Sequence, residues 1–208
     1  MDFTLIETFR YEPGQGVLRI EQHLKRLARS ADALRFRQPA GVRKKLDDHV
    51  RDADTSLRVR MTLTHKGELD ITSTPFTPLK DDTVWRLKVA RTRIDSADPL
   101  IRHKTSRRDV YEAARAEYPA DEADEVILLN EKGDVCEGTI TSLFVADGGG
   151  PLMTPTLTSG LLSGVLRTDM ICQQKARIQR LRLQDLANRD IFVGNSLRGL
   201  IRAELIEA

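Results

Sequence analysis

The segment from residue 123 to residue 167 constrains the fold more than any other part of the chain. It contains an apolar run at 126–129, whose length and composition predict a short strand. A turn follows at 131–133, and an acidic residue, Glu137, then stands directly before a glycine. A second glycine-bounded turn, at 162–165, lies where a helix is expected to begin. The segment therefore predicts strands and a helix in close succession, with a carboxylate at the end of a strand.

Short strands and helices alternate through the rest of the chain. Strands are expected at 3–9, 17–20, 57–64, 68–74, 85–91, 125–130, 135–137, 142–146, 152–154, 178–183 and 191–193, and helices at 21–36, 42–54, 107–118, 165–174 and 184–188. The segment 94–103, which contains a Pro, is the candidate linker region. We expect an N-terminal domain at 1–98, a linker at 99–104 and a C-terminal domain at 105–208, with a small-molecule site in the cleft between the domains.

Net charge and apolar patterning argue against several classes of protein. The 208 residues include 33 basic and 31 acidic ones, and the net charge of +2 creates no field that would recruit nucleic acid or an anionic membrane. No apolar run approaches the roughly 18–20 residues of a membrane span, and the N-terminus lacks a secretory signal pattern. Two cysteines suit a reducing cytoplasm, and four scattered histidines lack metal-ligand spacing. We therefore expect a cytoplasmic protein without a metal site.

Two side chains are candidates for chemistry. Lys104, at the end of the expected linker, could form a Schiff base with an aldehyde if desolvation or nearby cations kept its amine partly unprotonated. Glu137 could hold a proton on a basic ring nitrogen if it were buried against that nitrogen. Taken alone, a lysine in a linker is far more often a solvated charge, and a glutamate at a strand end more often faces water.

Five motifs give these residues a context, because together they resemble those of the fold-type IV pyridoxal 5'-phosphate (PLP) enzymes. The motifs are HKT-x-x-R-x-x-Y at 103–111, EGTITSLF at 137–144, GLLSGVLR at 160–167, HLKRL at 23–27 and NSLRG at 195–199. The family contains branched-chain and D-amino-acid aminotransferases and aminodeoxychorismate lyase. The first and last of these motifs are most similar to the lyase-like members.

The resemblance implies a fold and an assembly. The fold would be α/β (α+β), of the two-domain D-amino-acid aminotransferase type, with a smaller N-terminal α/β domain and a C-terminal pseudo-barrel domain that binds PLP. Members of the family hold PLP in the cleft between the domains. They usually form homodimers, so a homodimer with a small-molecule substrate is expected here.

The resemblance also implies a role for each motif residue. Lys104 would hold PLP as a Schiff base and then act as acid and base. Glu137 would raise the pKa of the pyridine nitrogen, so that the protonated ring withdraws electrons from the reacting carbon. The cofactor phosphate, a dianion that needs N–H donors and a cation, would be bound by the backbone amides of Val165 and Leu166 and by the side chains of Arg26 and Ser196.

Three residues depart from the family pattern. Ser142 stands where Asn is common, which places the local support of the loop in doubt. Ser163 replaces the usual Pro, so the turn before the helix is less prearranged. Leu166 stands where many members have Thr, so a hydroxyl contact to the phosphate is lost. The backbone amides are unaffected by these changes.

Substrate-binding residues are less well defined by the sequence. Arg58 and Arg60 alternate along an expected strand and so face the same side. Arg60 is the better match to a basic residue that binds a substrate carboxylate in relatives, although two arginines on an exposed sheet face are an equally ordinary feature. Aminotransferase relatives have a cofactor-ring tyrosine five residues after the lysine, where this chain has Asp109; Tyr111 comes seven residues after Lys104.

These similarities predict a PLP-dependent 4-amino-4-deoxychorismate lyase, which eliminates pyruvate to give 4-aminobenzoate for folate synthesis. The alternative within the family is a PLP-dependent aminotransferase of branched-chain or D-amino acids. A third possibility, from another class, is a non-catalytic PLP-binding relative. The presence of both Lys104 and Glu137 argues against the third.

Overall fold

The computed structural model describes residues 3–206, which form two compact units. The first unit contains the residues up to 79 together with the segments 103–107 and 196–198. The second unit contains the segments 80–102 and 108–195 and the residues from 199 onward. Each unit is therefore assembled from segments that are far apart in the sequence.

A four-stranded antiparallel sheet and two helices form the first unit. The strands are β1 (Leu5–Glu12), β2 (Gly16–Val17), β3 (Leu57–Leu63) and β4 (Leu69–Pro75), in the order β2-β1-β3-β4. The helices are α1 (Ile20–Ala33) and α2 (Val42–Val50). Buried and half-buried side chains alternate along much of β1 and β3, as expected for a sheet with one covered face.

Helix α1 buries polar as well as apolar side chains. Its buried residues are His23, Arg26, Leu27, Ser30 and Ala31. Buried polar groups are costly unless they are hydrogen-bonded, so the three polar members of this face require partners. Two of these partners, Glu7 and Ser196, are described below with the candidate active site.

An eight-stranded mixed sheet, which is curled, forms the framework of the second unit. The strands are β5 (Val84–Ile94), β6 (Glu125–Asn130), β7 (Val135–Gly138), β8 (Ser142–Val145), β9 (Leu152–Pro155), β10 (Ala176–Gln179), β11 (Ile191–Asn195) and β12 (Gly199–Leu205), in the order β10-β9-β8-β11-β12-β5-β6-β7. The helices are α3 (Asp109–Ala116) and α4 (Val165–Cys172), and single 3₁₀ turns lie at 99–102, 157–159 and 183–186. Strand β5 is parallel to both of its neighbours, β6 and β12.

Strand β6 is covered on both faces. Ile127 and Leu129 belong to one apolar cluster, and Val126 and Leu128 belong to another. All six residues of the strand are buried, including Glu125 at its start. The apolar run at 126–129 is therefore buried inside the second unit, and strand β7, which carries Glu137, is hydrogen-bonded along the edge of β6.

The sequence located most elements within a few residues, with four differences. Strand β2 ends at Val17 rather than at residue 20, because Arg19 is left-handed and α1 begins directly after it. Strand β10 lies at 176–179 rather than 178–183; Leu181 is buried beyond its end. The expected helix at 184–188 is only a 3₁₀ turn at 183–186.

The fourth difference is β12, which the sequence did not predict. Its residues 199–205 include an arginine and a glutamate, but these two point to the exposed face while Ile201 and Ala203 are buried. Strand β5 lies within the range expected for the N-terminal domain and pairs with strands of the larger sheet. Among residues 3–206, none of the helices has both the length and the apolar character needed to cross a bilayer.

Candidate active site

In the first unit, a buried ion pair connects β1 with α1. The carboxylate of Glu7, which is 1% exposed, accepts two hydrogen bonds from the Arg26 guanidinium, from Nε to Oε1 at 2.8 Å and from Nη2 to Oε2 at 2.5 Å. Arg26 itself is only 9% exposed. This bidentate hydrogen bonding is typical of a guanidinium and a carboxylate, and it gives the buried charge of Arg26 a partner inside the unit.

A hydrogen-bonded chain continues from Glu7 to Ser196. The Nδ1 atom of His23 lies 2.6 Å from Oε2 of Glu7, and its Nε2 atom lies 2.8 Å from Oγ of Ser196. Burial alone would raise the pKa of Glu7, but the Arg26 charge and the hydrogen bonds from His23 and Arg26 outweigh burial and lower it to about 2. Burial lowers the pKa of His23. Glu7 is therefore an anion and His23 is neutral near pH 7.

These charge states fix the direction of both hydrogen bonds. An ionised carboxylate can only accept, so Nδ1–H of His23 donates to Glu7. The other ring nitrogen of a neutral imidazole is an acceptor, so the Ser196 hydroxyl donates its proton to Nε2 of His23. The orientation of the Ser196 hydroxyl is thus set by a residue 173 positions earlier in the chain.

Lys104 belongs to a segment that is bound to the start of β1. The Lys104 carbonyl accepts from the backbone N–H of Ile6 at 2.8 Å, and Thr105 forms a bridge with Leu5. The charge of Lys104 also contributes to the lowered pKa of His23, after the larger effect of burial. The first unit therefore brings together three of the predicted residues, since Lys104, Arg26 and Ser196 all lie around the Glu7–His23 pair.

Arg60 is placed differently. It lies in β3 directly opposite Thr8, whereas Glu7 lies opposite Met61. Directly opposed residues share a face and successive residues alternate, so Arg60 and Arg58 lie on the face of the sheet away from the Glu7 side chain. Within the first unit, Arg60 is therefore not a neighbour of the Arg26–Ser196 cluster.

In the second unit, Glu137 lies in β7 and is 4% exposed. Its Oε1 atom accepts two hydrogen bonds, from the Tyr111 hydroxyl at 2.7 Å and from the Leu162 backbone N–H at 2.9 Å. The Arg108 guanidinium lies over the Tyr111 ring at 4.6 Å and donates to the carbonyl of Thr139. The two motifs around residues 108–111 and 137–139 are thus in direct contact.

The loop after Glu137 is built on a second buried carboxylate. Glu125, which is 1% exposed, accepts from the Thr139 N–H at 3.0 Å and hydroxyl at 2.6 Å, from the Ile140 N–H at 3.1 Å and from the Thr141 hydroxyl at 2.8 Å. A Cβ atom on Gly138 would lie 2.7 Å from a carboxylate oxygen of Glu125 and even closer to the Thr141 hydroxyl oxygen, so glycine is the residue that fits there. The glycine of the Glu-Gly-Thr motif is therefore explained by the close approach of the Thr141 and Glu125 side chains.

The N-terminus of α4 supplies the amides of Val165 and Leu166. They lie in the first turn of a helix, where N–H groups have no carbonyl in a preceding turn. A Cβ atom on Gly164, just before the helix, would lie 2.6 Å from Oγ of Ser142. Ser142, one of the three departures, thus packs against the start of the helix. A larger side chain at residue 164 would fill this space.

Arg167 is buried behind the same turn, at 2% exposure, and donates to the Pro155 carbonyl at 2.6 Å. Its Nε atom is buried and makes no hydrogen bond among the described residues. Burial lowers the pKa of Arg167, and the charge of Glu137 acts in the opposite direction. A helix start with backbone N–H donors, a buried cation and a buried carboxylate therefore occur in one unit. This donor set fits an aromatic cofactor with a basic ring nitrogen and a phosphate.

Sequence reasoning missed Glu7, His23, Glu125 and the contact of Tyr111 with Glu137. Each of the two glutamates stands in a strand of buried residues, and a charged residue inside such a run is a signal that a buried partner exists. His23 is the first residue of the HLKRL motif, in which the family resemblance gives a role only to Arg26. The protein is therefore a two-unit α/β protein whose donor groups fit a phosphate-bearing aromatic cofactor.

Comparisons with known proteins agree with this class. The family model for amino-transferase class IV matches residues 4–206, so the chain belongs to the class IV aminotransferase family, whose members use PLP. A protein of Schizosaccharomyces pombe named "Putative aminodeoxychorismate lyase" is 27% identical over 212 residues, which cover 97% of this chain and 89% of that protein.

Relatives with aminotransferase names are also found. A "Probable branched-chain-amino-acid aminotransferase" of Thermotoga maritima is 30% identical over 159 residues, covering 72% of this chain and 56% of that protein. The crystal structure of a "Putative amino-acid aminotransferase" from Mesorhizobium loti is 46% identical, with a TM-score of 0.95 over 99% of this chain and 100% of that one. The predicted family and fold are confirmed, and the protein is an enzyme of the family's lyase or aminotransferase type.

Proposed function

We propose that this protein is a PLP-dependent 4-amino-4-deoxychorismate lyase that forms 4-aminobenzoate and pyruvate. The observation that carries the cofactor part of the proposal is Glu137, a buried carboxylate held by two hydrogen-bond donors in the Glu-Gly-Thr motif. The lyase part is supported by the relative of that name, which is matched along 97% of this chain. It is also supported by Asp109, an exposed residue where aminotransferase relatives have a ring tyrosine.

PLP would be held by the residues described above. Lys104 would bind its aldehyde carbon, Glu137 would face its pyridine nitrogen, and the amides of Val165 and Leu166, with Arg26 and Ser196, would bind its phosphate. When bound, PLP supplies an electron sink for the carbon that loses a proton. The Ser196 hydroxyl donates to His23 in the structure, so it must turn from His23 to donate to a phosphate oxygen.

The proposed reaction assigns one proton transfer to Lys104. With the substrate amine held at the PLP site, the Lys104 amine would act as the base that removes the proton from the amine-bearing ring carbon. The electrons of that C–H bond form the last double bond of the aromatic ring as the C–O bond to the enolpyruvyl group breaks. The leaving group is the enolate of pyruvate, which would take up a proton on its methylene carbon to become pyruvate, so neither an oxidant nor an amino acceptor is needed.

Arg60 remains a proposed partner for a substrate carboxylate. Arg60 and Glu7 lie on opposite faces of the sheet. The substrate carboxylate would therefore have to be bound on the face that carries Arg60. We also propose a homodimer, which the family resemblance implies. Light scattering coupled to gel filtration measures the mass of the assembly directly, and the mass of a monomer, 23.5 kDa, would contradict this part of the proposal.

The second candidate, an aminotransferase, is favoured by the name of the 46% identical structure. The deciding experiment supplies the purified holoenzyme with 4-amino-4-deoxychorismate alone, and separately with amino acids and 2-oxoglutarate. Release of pyruvate and 4-aminobenzoate without an acceptor is expected. Glutamate formation in the second assay alone would replace the lyase assignment by the aminotransferase one.

Two variants control the experiment. Lys104→Ala is expected to abolish turnover and the visible absorbance of lysine-bound PLP, whereas Lys66→Ala, at an exposed lysine of the same unit, is expected to retain both. A wild-type protein that binds PLP but turns over neither set of substrates would indicate a non-catalytic relative. A wild-type protein that binds no PLP would refute every PLP-based assignment.

A further inference from the structure

We propose that Tyr111 is a positioning residue for Glu137, holding its carboxylate in the orientation and the ionised form that bind the protonated ring nitrogen of PLP. This inference rests on the proposed cofactor and is independent of the choice between lyase and aminotransferase. Tyr111 comes seven residues after Lys104, whereas the ring tyrosine of aminotransferase relatives comes five residues after the lysine. The structure directs the Tyr111 hydroxyl to the carboxylate.

The geometry of the contact is well suited to this role. The hydroxyl donates to Oε1 of Glu137 at 2.7 Å, and the Leu162 N–H donates to the same atom at 2.9 Å. A backbone donor and a side-chain donor from α3 hold this carboxylate oxygen in place better than either could alone. Hydrogen bonds to the charged form of a carboxylate also favour that form.

Tyr111 is itself held in place. Its ring packs against the apolar cluster around Val126 and Leu128. The Arg108 guanidinium lies over the ring at 4.6 Å and also donates to the carbonyl of Thr139, two residues after Glu137. Because the ring is fixed at both its face and its edge, the hydroxyl has little freedom to leave the carboxylate.

The protonation state of Tyr111 supports the same role. Burial, followed by the charge of Glu137, raises the pKa of Tyr111 well above its ordinary value. The phenol therefore keeps its proton and remains a donor at every pH at which the enzyme would work. Glu137 in turn keeps a donor that solvent cannot easily replace, since it is only 4% exposed.

A matched pair of variants tests this inference. Tyr111→Phe removes only the hydroxyl. Tyr118→Phe is the control, because Tyr118 lies in the same unit, has the Lys88 ammonium over its ring at 4.9 Å and donates to the Val89 carbonyl at 3.0 Å. Each apoprotein is titrated with PLP and with a carbocyclic analogue in which a C–H group replaces the ring nitrogen, and binding is measured by calorimetry.

Tyr111→Phe is expected to weaken PLP binding roughly tenfold, the factor that corresponds to one hydrogen bond of ordinary net strength. The same variant is expected to bind the carbocyclic analogue as the wild type does, because the analogue has no ring nitrogen for Glu137 to bind. Tyr118→Phe is expected to change neither affinity. Unfolding curves of the apoproteins check that each variant is folded.

Two outcomes would overturn the inference. A Tyr111→Phe variant that binds PLP as tightly as the wild type shows that the hydroxyl does nothing for Glu137. An equal loss for PLP and for the analogue shows that the residue acts only on the fold. A wild-type protein that binds PLP no better than the analogue would instead refute the role of Glu137, and one that binds neither would refute the proposed cofactor.

A second measurement applies if Tyr111→Phe does not fold. A single 3-fluorotyrosine at residue 111 keeps the ring and the hydroxyl, and its fluorine resonance reports on the environment of the phenol. That resonance is expected to shift when PLP binds and to stay in place when the analogue binds. Equal shifts for the two ligands would contradict the proposed link between Tyr111 and the ring nitrogen.

Discussion

The substitution Glu7→Gln tests the reasoning about the buried cluster most directly. Glutamine has nearly the size of glutamate but carries no charge. The Arg26 guanidinium would remain buried with only one carbonyl oxygen facing it, in place of the two carboxylate oxygens that it binds in the structure. His23 would lose the anionic acceptor of its Nδ1–H group.

The magnitude follows from the pKa of Glu7. A fall from 4.5 to about 2 corresponds to roughly 3 kcal/mol of stability at neutral pH, at about 1.36 kcal/mol per pKa unit. Removing one partner of a buried ion pair commonly costs about 3–5 kcal/mol, because an uncompensated charge is left behind. We therefore expect Glu7→Gln to lower the free energy of unfolding by roughly 3 kcal/mol at pH 7.

Urea unfolding followed by circular dichroism measures this loss. Because the pKa of Glu7 is lower in the folded state, its contribution is complete above pH 4.5 and is lost as the pH falls toward about 2. The difference between wild type and variant should therefore shrink by about 1 kcal/mol per pH unit below pH 4.5. Glu21→Gln, which removes an exposed partner of Arg43, is the control and should show no such dependence.

A loss below about 1 kcal/mol at pH 7 would refute the argument, because it would mean that Arg26 finds other compensation. A large loss that stays constant between pH 5 and pH 3 would also refute it. In that case the destabilisation would come from packing and not from the ionised carboxylate.

Three further predictions follow from the second unit. Glu125→Gln should lower the free energy of unfolding by about 2–4 kcal/mol and weaken PLP binding, because an amide NH₂ would face N–H and O–H groups that now donate to the carboxylate. Unchanged unfolding curves would contradict this prediction. Gly164→Ala should lower the free energy of unfolding by about 1–3 kcal/mol, and the additional change Ser142→Gly should restore part of it. A double-mutant cycle measures this coupling, and strictly additive effects would show that the two residues are not in contact. Burial and the charge of Glu137 raise the pKa of the Cys136 thiol, so iodoacetamide should modify only the exposed Cys172 in the native protein. Mass spectrometry of the peptides measures the labelling, and modification of Cys136 in the native protein would contradict the prediction.

The sequence could predict the strands around Glu137 because their signals are local. The apolar run at 126–129 and the glycine turns have the same meaning whatever the rest of the chain does. Strand β12 gave no such signal, because an arginine and a glutamate in a seven-residue segment favour a loop until the inward side chains are shown to be buried. Its existence depends on pairing with β5 and β11, which no local pattern reveals.

The candidate site divides in a similar way. Lys104, Arg26 and Ser196 could be proposed as site residues because they stand in recognisable motifs. Glu7 could not, because its role depends on a helix that begins later in the chain and brings His23 and Arg26 to it. The contact between Tyr111 and Glu137 joins positions 26 residues apart. The spacing of the motifs does not indicate which group the Tyr111 hydroxyl contacts.

The composition of the first unit has a consequence for how the protein is made. Its hydrogen-bond network closes only when Ser196 meets His23, which the ribosome synthesises 173 residues earlier. Folding of this unit during translation would therefore stop at an incomplete stage, because the Ser30 hydroxyl and Nε2 of His23 lack their partners until residues 103–107 and then 196–198 emerge. Contacts of such long sequence separation slow folding. A product truncated before residue 196 would lack the Ser196 hydroxyl, and with it the hydrogen bond to Nε2 of His23.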